Sequence, residues 1–364
     1  MSSRSWFSKA LLGWYAAGHR DLPWRRTRDP YRIWLSEVIL QQTRVDQGTA
    51  YYDRFAEHYP TVHHLAAAPD DDVMRLWQGL GYYSRARNLL AAARSVVNDL
   101  GGRFPDTVDG LRALKGVGDY TAAAIASIAF DRPAAVVDGN VYRVLARVFG
   151  IATPIGSTAG RREFAALAGE LLDPVHPGDH NQAVMELGAT ICLPRAPRCA
   201  ECPVATPCIA RREGRIAQLP VKAGRTTVRE RHFNYLCIDV EGGLVLRKRE
   251  ARDIWQGLYE PPLLESEAPL DLLSFRKALR DGLGAGWKVT GQHGPARHVL
   301  SHQVLQARFW EVTPPRSFVP PAEWRIVSDP ELDRVAVPRL IERYLVQRRS
   351  KGLFDQDQLS TIPG

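Results

Sequence analysis

The sequence predicts two domains, an all-α domain followed by an α+β domain, and three observations support this. A chain of 364 residues is longer than a single hydrophobic core usually extends. Apolar residues recur at helical spacing through residues 1–210, for example at Val141, Val144 and Leu145. After residue 231 the pattern changes to short runs typical of strands, with helical segments between them.

The domain boundaries are predicted from composition. Residues 1–210 are expected to form the helical domain, and residues 232–349 the α+β domain. Residues 211–231 contain seven basic and two acidic residues without a helical pattern. They are predicted to be a linker, either a solvated tether or a segment that contacts phosphates. Residues 350–364 are expected to be a frayed tail.

The second domain has recognisable elements. Residues 232–240 (HFNYLCIDV) and 244–249 (LVLRKR) flank a glycine pair and predict a β-hairpin. Residues 297–312 predict another hairpin or one long strand. Residues 272–283 (LLSFRKALRDGL) and 337–349 (VPRLIERYLVQRR) predict helices.

Charge and hydropathy restrict the possible partners. The net charge is +8 and the isoelectric point about 9.3, which favours a polyanion and nucleic acid in particular. No apolar run approaches the roughly 20 residues that a membrane helix needs. Lys9 interrupts the apolar stretch near the amino terminus, which is atypical of a signal peptide. We therefore expect a cytoplasmic protein that does not bind membranes.

Four cysteines lie within seventeen residues, at the spacing C-x6-C-x2-C-x5-C: Cys192, Cys199, Cys202 and Cys208. Four thiolates so close in sequence can surround one inorganic centre, either tetrahedral zinc or an iron–sulfur cluster. Structural zinc usually has two C-x2-C pairs and this segment has one, which favours a cluster. Cys237 stands alone in a predicted strand and is expected to be a core residue.

Two further motifs have both an ordinary and a functional interpretation. Gly116 and Gly118 precede a predicted helix, where they form either a simple turn or a phosphate-binding turn. Asp138 precedes another helix and is either an N-cap or a catalytic carboxylate. Glu37 lies within the apolar segment YRIWLSEVILQQT. It is either a surface residue of an amphipathic helix or a buried acid whose pKa is raised.

Longer motifs resolve these alternatives through a resemblance. The segments LPWR, DPYRIWLSEVILQQTRV, LWQGLGYYSRARNL, LKGVGDYTA, VVDGNVYRVLAR and NQAVMELGATIC occur in this order. Together they resemble the MutY adenine DNA glycosylases of the endonuclease-III-like superfamily, over most of residues 20–210. The resemblance implies an all-α helix-hairpin-helix glycosylase domain that contains Gly116 and Gly118. It also implies that the four cysteines hold a [4Fe–4S] cluster.

The resemblance assigns roles to residues of the first domain. Glu37 would protonate adenine at N7 and help to activate water. Asp138 would stabilise the sugar cation, with Asn140 and Tyr120 holding the aspartate and the sugar. Bifunctional relatives carry a lysine where this chain has Tyr120, so we expect a monofunctional enzyme that leaves an abasic site. Lys115 lies before the glycine turn and is expected to contact phosphate.

Other positions match family residues that contact DNA. Gln42 and Tyr82 match side chains that wedge into the duplex. The ordinary interpretation of Gln42 is a polar helix residue, and that of Tyr82 is a core aromatic, with which its neighbour Tyr83 is easily confused. Arg25 and Gln182 match residues that line the adenine pocket, and either is also an unremarkable surface contact.

The second domain resembles the Nudix-like lesion-recognition domain of the same family. The glutamate-rich helix of active Nudix hydrolases is missing, which predicts recognition of 8-oxoguanine without hydrolysis. The family reads the lesion with a Phe-Ser-His turn, and here Leu300, Ser301 and His302 occupy it. Leucine replaces the aromatic residue, so stacking there is expected to be weaker. The ordinary interpretation of Ser301 and His302 is a polar strand pair.

The expected activity is removal of adenine paired with 8-oxoguanine or guanine in double-stranded DNA, by a monomer that associates with the nucleoid. Three alternatives differ in class. A glycosylase–lyase for oxidised pyrimidines is disfavoured by Tyr120 and by the second domain. A zinc-containing DNA-binding protein would contain zinc in place of iron and sulfide. A Nudix hydrolase is disfavoured because the acidic helix is missing.

Overall fold

The structure, a computed structural model, describes residues 5–222, 224 and 228–358, with side chains as far as residue 349. Parts of the predicted linker and of the predicted tail therefore lie outside the described residues. The chain divides into two compact units. The first comprises Met1–Ala68 and Arg87–Gly224, and the second comprises Pro69–Ala86 and Arg225–Gly364. The sequence did not indicate that Pro69–Ala86 would group with the carboxyl-terminal unit.

The helices begin and end as follows: α1 (Ser5–Gly18), α2 (Pro30–Leu40), α3 (Val45–His58), α4 (Val62–Ala67), α5 (Asp70–Leu76), α6 (Ser84–Asn98), α7 (Val108–Arg112), α8 (Asp119–Phe130), α9 (Gly139–Phe149), α10 (Thr158–Leu171), α11 (Pro177–Thr190), α12 (Ile209–Arg212), α13 (Leu272–Leu283), α14 (Asp329–Leu332) and α15 (Arg339–Gln358). Short 3-10 helices occupy Pro23–Arg25, Cys199–Glu201 and Ile216–Gln218. Among the described residues, none of the helices is long and apolar enough to cross a membrane.

Local sequence explains where the helices around the site begin and end. Asp29 caps α2 by accepting a hydrogen bond from the Tyr31 N–H, and Pro30 stands at the first helical position. The side chain of Asp138 caps α9 in the same way, and Gly150 ends α9 in the left-handed conformation. Asp138 is therefore the N-cap of α9, as its ordinary interpretation predicts, and this does not exclude a catalytic role for the carboxylate.

The turn before α8 contains Gly116 and Gly118, and the backbone conformation requires glycine at position 116. Gly116 has φ +79°, and a Cβ atom there would lie 2.6 Å from Cβ of Asn88. A side chain at this position would combine backbone strain with a steric clash. Gly118 is the N-cap of α8 with φ −93°, and a Cβ atom there would meet no atom within 4 Å. Open space at Gly118 leaves the first N–H groups of α8 accessible to a ligand.

The second unit contains a seven-stranded mixed sheet in the order β3-β2-β1-β6-β5, in which β4 pairs with β1 and β7 with β2. Its strands are β1 (Arg229–Val240), β2 (Gly243–Lys248), β3 (Tyr259–Glu260), β4 (Leu263–Ser266), β5 (Lys288–Val299), β6 (Gln303–Thr313) and β7 (Trp324–Val327). β1 and β2 form the predicted antiparallel hairpin, and β5 and β6 form the second hairpin. β1 and β6 run parallel, which makes the sheet mixed.

Alternation along β1 places core side chains on both faces of the sheet. Phe233 and Tyr235 pack into a cluster that includes Ile341 and Tyr344 of α15, whereas Leu236 and Ile238 pack with α13. The two predicted helices thus cover opposite faces of the sheet. The predicted fold class, an all-α unit and an α+β unit, is confirmed in the described residues.

Candidate active site

A cleft in the first unit brings together six residues that the sequence had singled out. They are separated by up to 157 positions in the chain, and they all line the cleft: Arg25, Glu37, Tyr120, Asp138, Asn140 and Gln182. Glu37 and Asp138, which the sequence alone could not bring together, share this cleft. Gln42, Tyr82 and the two turn glycines lie elsewhere.

Glu37 reaches the cleft from a helix whose other faces are in the core. Seven residues of α2 are buried, including Trp34, Leu35, Val38 and Ile39 on either side of the glutamate. Burial raises the pKa of Glu37 from 4.5 to about 7, and the negative charge of Asp138 adds to the rise. A hydrogen bond from Tyr120 and the charge of Arg25 oppose it. Glu37 can therefore carry a proton at neutral pH and also lose it there.

Asp138 enters the cleft from the start of α9. Its Oδ1 accepts a hydrogen bond of 2.7 Å from the Val141 N–H, and its Oδ2 accepts one of 2.8 Å from Nδ2 of Asn140. Burial raises the pKa of Asp138, while these hydrogen bonds favour its ionised form. A cation placed in the cleft would strengthen the preference for the carboxylate.

Tyr120 lines the cleft together with the two carboxylates and interacts with both. Burial and the charges of Glu37 and Asp138 hold its pKa well above the usual range, so the phenol keeps its proton. The hydroxyl has two hydrogen-bonding partners for its one proton, the carboxyl group of Glu37 and Sδ of Met185, which lies 3.2 Å away. Tyr120 can act as a hydrogen-bonding group in the cleft, but it cannot form a Schiff base.

Arg25 and Gln182 form another wall of the cleft around Glu186, a residue that the sequence analysis missed. Glu186 accepts hydrogen bonds from Nη2 of Arg25 at 2.8 Å and from Nε and Nη2 of Arg20, each at 2.7 Å. Burial would raise the pKa of Glu186, but these hydrogen bonds outweigh burial and lower it to about 2. The Tyr15 hydroxyl donates to Oε1 of Gln182 at 3.4 Å. A lone carboxylate in the apolar segment NQAVMELGATIC was the available signal.

The cysteine loop is connected to the cleft through arginines of α9. Arg143 donates from Nη2 to Oδ1 of Asn140 at 2.8 Å and from Nε to the carbonyl oxygen of Cys192 at 2.6 Å. Arg147, which is buried, donates to Sγ of Cys192 at 3.4 Å and to the carbonyl oxygen of Leu193 at 2.7 Å. Both arginines were missed in the sequence, where they look like polar residues of an amphipathic helix.

The four cysteines line a second cavity in the first unit. Burial raises the pKa of Cys202 to about 11, and the charges of the other three cysteines add to the rise. Among the described residues, no group of three or more His, Cys, Asp or Glu side chains is arranged around a single metal ion. Four sulfur donors around one cavity suit either tetrahedral zinc or an iron–sulfur cluster.

The predicted wedge residues have unusual backbones. Gln42 and Tyr82 are exposed, and their φ angles are +58° and +47°, in the left-handed region that non-glycine residues rarely adopt. Such conformations often occur at functional positions. Tyr83 is buried, which distinguishes it from its neighbour. The Tyr82 hydroxyl is hydrogen-bonded to the hydroxyl of Ser301, and both residues belong to the second unit.

The turn between β5 and β6 contains the three residues proposed to read the lesion. Ser301 and His302 are exposed at its tip, which is closed by a hydrogen bond of 2.8 Å from the Leu300 N–H to the Gln303 carbonyl. Leu300 is partly buried and packs against the core cluster that contains Phe233. The packing of Leu300 against this cluster therefore stabilises the turn.

Comparisons with known proteins agree with this architecture. Residues 35–167 match the family of HhH-GPD superfamily base excision DNA repair proteins, and residues 234–347 match the NUDIX domain. The solved structure of a thermostable thymine-DNA glycosylase superposes with a TM-score of 0.54 and 33% identity, over 58% of this chain and 97% of that one.

Several proteins named adenine DNA glycosylase are similar to this chain. The protein from Mus musculus is 47% identical over 237 residues, which are 63% of this chain and 46% of that protein. The chain thus spans less than half the length of the mammalian relatives it matches. The protein from Buchnera aphidicola subsp. Schizaphis graminum is 33% identical over 255 residues, which are 70% of this chain and 73% of that protein. The chain therefore belongs to the adenine DNA glycosylase family.

Proposed function

We propose that this protein removes adenine from double-stranded DNA in which the adenine is paired with 8-oxoguanine or guanine, and that it leaves an abasic site. The observation that carries the proposal is the shared cleft of Glu37 and Asp138, in which one carboxylic acid has a pKa of about 7. Two carboxyl groups in different environments suit the cleavage of a glycosidic bond. Family membership favours adenine as the base.

The first chemical step needs an acid. The target nucleotide leaves the stack and enters the cleft, because the bond to be broken is inaccessible inside the duplex. Protonated Glu37 donates its proton to N7 of adenine. The electron pair of the bond between the sugar and the base can then leave with the base, which would otherwise be a poor leaving group.

The second step needs an anion and a base. Loss of adenine leaves positive charge on the sugar, which Asp138 stabilises from its position at the start of α9. Glu37, now ionised, accepts a proton from the water that attacks the sugar carbon, and the acid is regenerated. Asn140 holds Asp138 through the 2.8 Å hydrogen bond. Arg25 and Gln182 contact the adenine.

The absence of an amine nucleophile supports a monofunctional reaction. Tyr120 occupies the position beside Glu37, and no lysine lines the cleft among the described residues. Lys115 is exposed at the turn before α8, where it can contact phosphate together with the N–H groups near Gly116 and Gly118. Without a Schiff base the sugar–phosphate backbone stays intact.

A [4Fe–4S] cluster would be held by Cys192, Cys199, Cys202 and Cys208. Their common cavity and sulfur donors fit such a group, whose thiolate ligands would be stabilised by the cluster's iron. When bound, the cluster would fasten the loop without taking part in hydrolysis. Arg147 would hold the loop from the protein side.

Recognition of the opposite base is assigned to the second unit. Ser301 and His302 present hydrogen-bonding groups at an exposed turn, and the hydroxyl of Tyr82 contacts Ser301. Tyr82 and Gln42 would fill the space that the flipped base leaves. The net charge of +8 favours binding to the DNA backbone.

A strand-sizing assay tests this function. End-labelled duplexes with adenine opposite 8-oxoguanine, adenine opposite guanine, or thymine opposite guanine are incubated with the protein, and half of each sample receives hot alkali. We expect cleavage of the adenine strand only after alkali. Cleavage without alkali, with nucleases excluded, would contradict the monofunctional reaction. Cleavage of the thymine strand alone would mean that this protein removes thymine instead of adenine, like the thymine-DNA glycosylase that the first unit resembles.

A further inference from the structure

The hydroxyl of Tyr120 has two possible acceptors and only one proton. It contacts Glu37 of α2 on one side and lies 3.2 Å from Sδ of Met185 of α11 on the other. The single phenol proton can go to either partner: when it is donated to the sulfur, the oxygen can accept a hydrogen bond from protonated Glu37, and when Glu37 is ionised it can be donated to the carboxylate. Thioether sulfur is a weak acceptor, and Met185 is partly exposed in the cleft wall.

We propose that Met185 is a positioning residue, whose sulfur directs the Tyr120 proton away from Glu37 and thereby keeps Glu37 in its acid form. In the acid form, Glu37 donates to the Tyr120 oxygen and Tyr120 donates to Met185. In the ionised form, the Tyr120 proton turns to the carboxylate and the sulfur has no donor. The contact with Met185 therefore stabilises the acid form alone, and removing the sulfur must favour ionisation.

Other groups around Glu37 do not offer the same switch. The ionisable groups that face it are Tyr120 on α8, Asp138 at the start of α9 and Arg25 in the 3-10 helix before α2. Helix α3 contributes the apolar Val45 to the cleft. Arg20 and Glu186 also line the cleft, and they are paired with each other. Asp138 and Arg25 act on Glu37 through their charges, whereas Met185 acts only through the direction of one proton.

The test is the titration of the Glu37 carboxyl group in the DNA-free protein, followed by the carboxyl resonance of 13C-labelled glutamate and assigned with Glu37→Gln. Met185→Leu keeps the apolar volume but removes the acceptor. We expect its titration midpoint to fall by roughly half a pH unit, since a weak hydrogen bond to the neutral form is lost. Met185→Gln restores an acceptor and should prevent the fall. Met74→Leu, at a buried methionine of α5, is the matched control and should not move the midpoint.

Repeating the substitution in Tyr120→Phe protein tests whether the effect of Met185 passes through the phenol. In Tyr120→Phe protein, Met185→Leu should leave the Glu37 midpoint where it is, because the relay needs the phenol. An unchanged midpoint in Met185→Leu alone, or the same fall in the Tyr120→Phe background, would overturn the proposal. A fall that Met185→Gln reproduces would also overturn it, since any change at residue 185 would then suffice.

The catalytic meaning of the relay rests on the proposed function. If the protein excises adenine, the alkaline limb of the single-turnover rate should move to lower pH in Met185→Leu by the same amount as the midpoint. If the wild type shows no excision while the midpoint still moves, the proposed function fails and the relay stands. If excision occurs but neither quantity moves, the relay fails and the proposed function stands.

Discussion

Arg143 donates a hydrogen bond of 2.6 Å to the carbonyl oxygen of Cys192, the first cysteine of the loop. The same guanidinium donates at 2.8 Å to Asn140, which in turn donates to Asp138. It also donates at 2.7 Å to the carbonyl oxygen of Gly188 on α11. One side chain therefore connects the cysteine loop to a carboxylate of the cleft. A change in the loop can reach Asp138 through this connection without touching DNA.

Arg143→Gln should lower both stability and excision, because several charge-assisted hydrogen bonds are lost together. We expect the free energy of unfolding to fall by about 2–3 kcal/mol. Excision should fall roughly tenfold or more, since a displaced Asp138 no longer faces the sugar. Urea unfolding and single-turnover excision measure the two effects. Arg162→Gln, at an exposed arginine of α10, is the control. A stable variant with the wild-type rate would break the proposed link between loop and cleft.

Glu37→Gln should make the protein more stable at pH 8 while abolishing excision. The folded pKa of Glu37 is raised to about 7, so between pH 4.5 and 7 the folded protein holds a proton that the unfolded chain has lost. The contribution of Glu37 to stability therefore falls as the pH rises through this window, by roughly 3 kcal/mol in total. Glutamine carries no charge and avoids this loss.

Thermal or urea unfolding of wild type and Glu37→Gln at pH 5 and pH 8 measures that effect. The stability gained by the variant should be larger at pH 8 than at pH 5. Equal differences at the two pH values would mean that the pKa of Glu37 is not raised by folding.

Gly116→Ala and Gly118→Ala should separate folding from DNA contact. Alanine at position 116 must adopt φ near +79° and lies 2.6 Å from Asn88 Cβ, so we expect a loss of about 1–2 kcal/mol in stability. Alanine at position 118 meets no atom within 4 Å and should cost less. Both should weaken binding to duplex DNA in a fluorescence titration. Normal DNA affinity of Gly118→Ala would remove that glycine from the phosphate contact.

The sequence predicted much of this fold because its signals were local. These signals are the helical spacing, the glycine-containing hairpin turn and the segment 272–283. Each of them depends on residues that are close together in the chain, and α13 has the predicted bounds. The proximity of Glu37 and Asp138 came only from the family resemblance, since no local pattern relates positions a hundred residues apart. Glu186, Arg143 and Arg147 were missed because long-range hydrogen bonds decide whether a charged helix residue is buried or exposed.

Ser301→Ala combined with His302→Ala should reduce the preference for 8-oxoguanine over guanine more than it reduces the excision of adenine opposite guanine. The two side chains are exposed at the turn, far in sequence from the acid of the cleft, and the variant should remain folded because Leu300 provides the packing. The ratio of kcat/KM for the two duplexes measures the preference. The control is Ser317→Ala, outside this turn. An unchanged ratio would remove Ser301 and His302 from recognition of the opposite base.

The most direct test of the account is the pH dependence of adenine release in a single turnover, from a duplex with adenine opposite 8-oxoguanine. We expect the rate to be highest at acid to neutral pH and to decline above a pKa near 7, as Glu37 loses its proton. Glu37→Gln should release no adenine at any pH while it still binds the duplex. A rate that is flat through pH 6–9, or release by Glu37→Gln, would contradict the central claim that Glu37 is the acid.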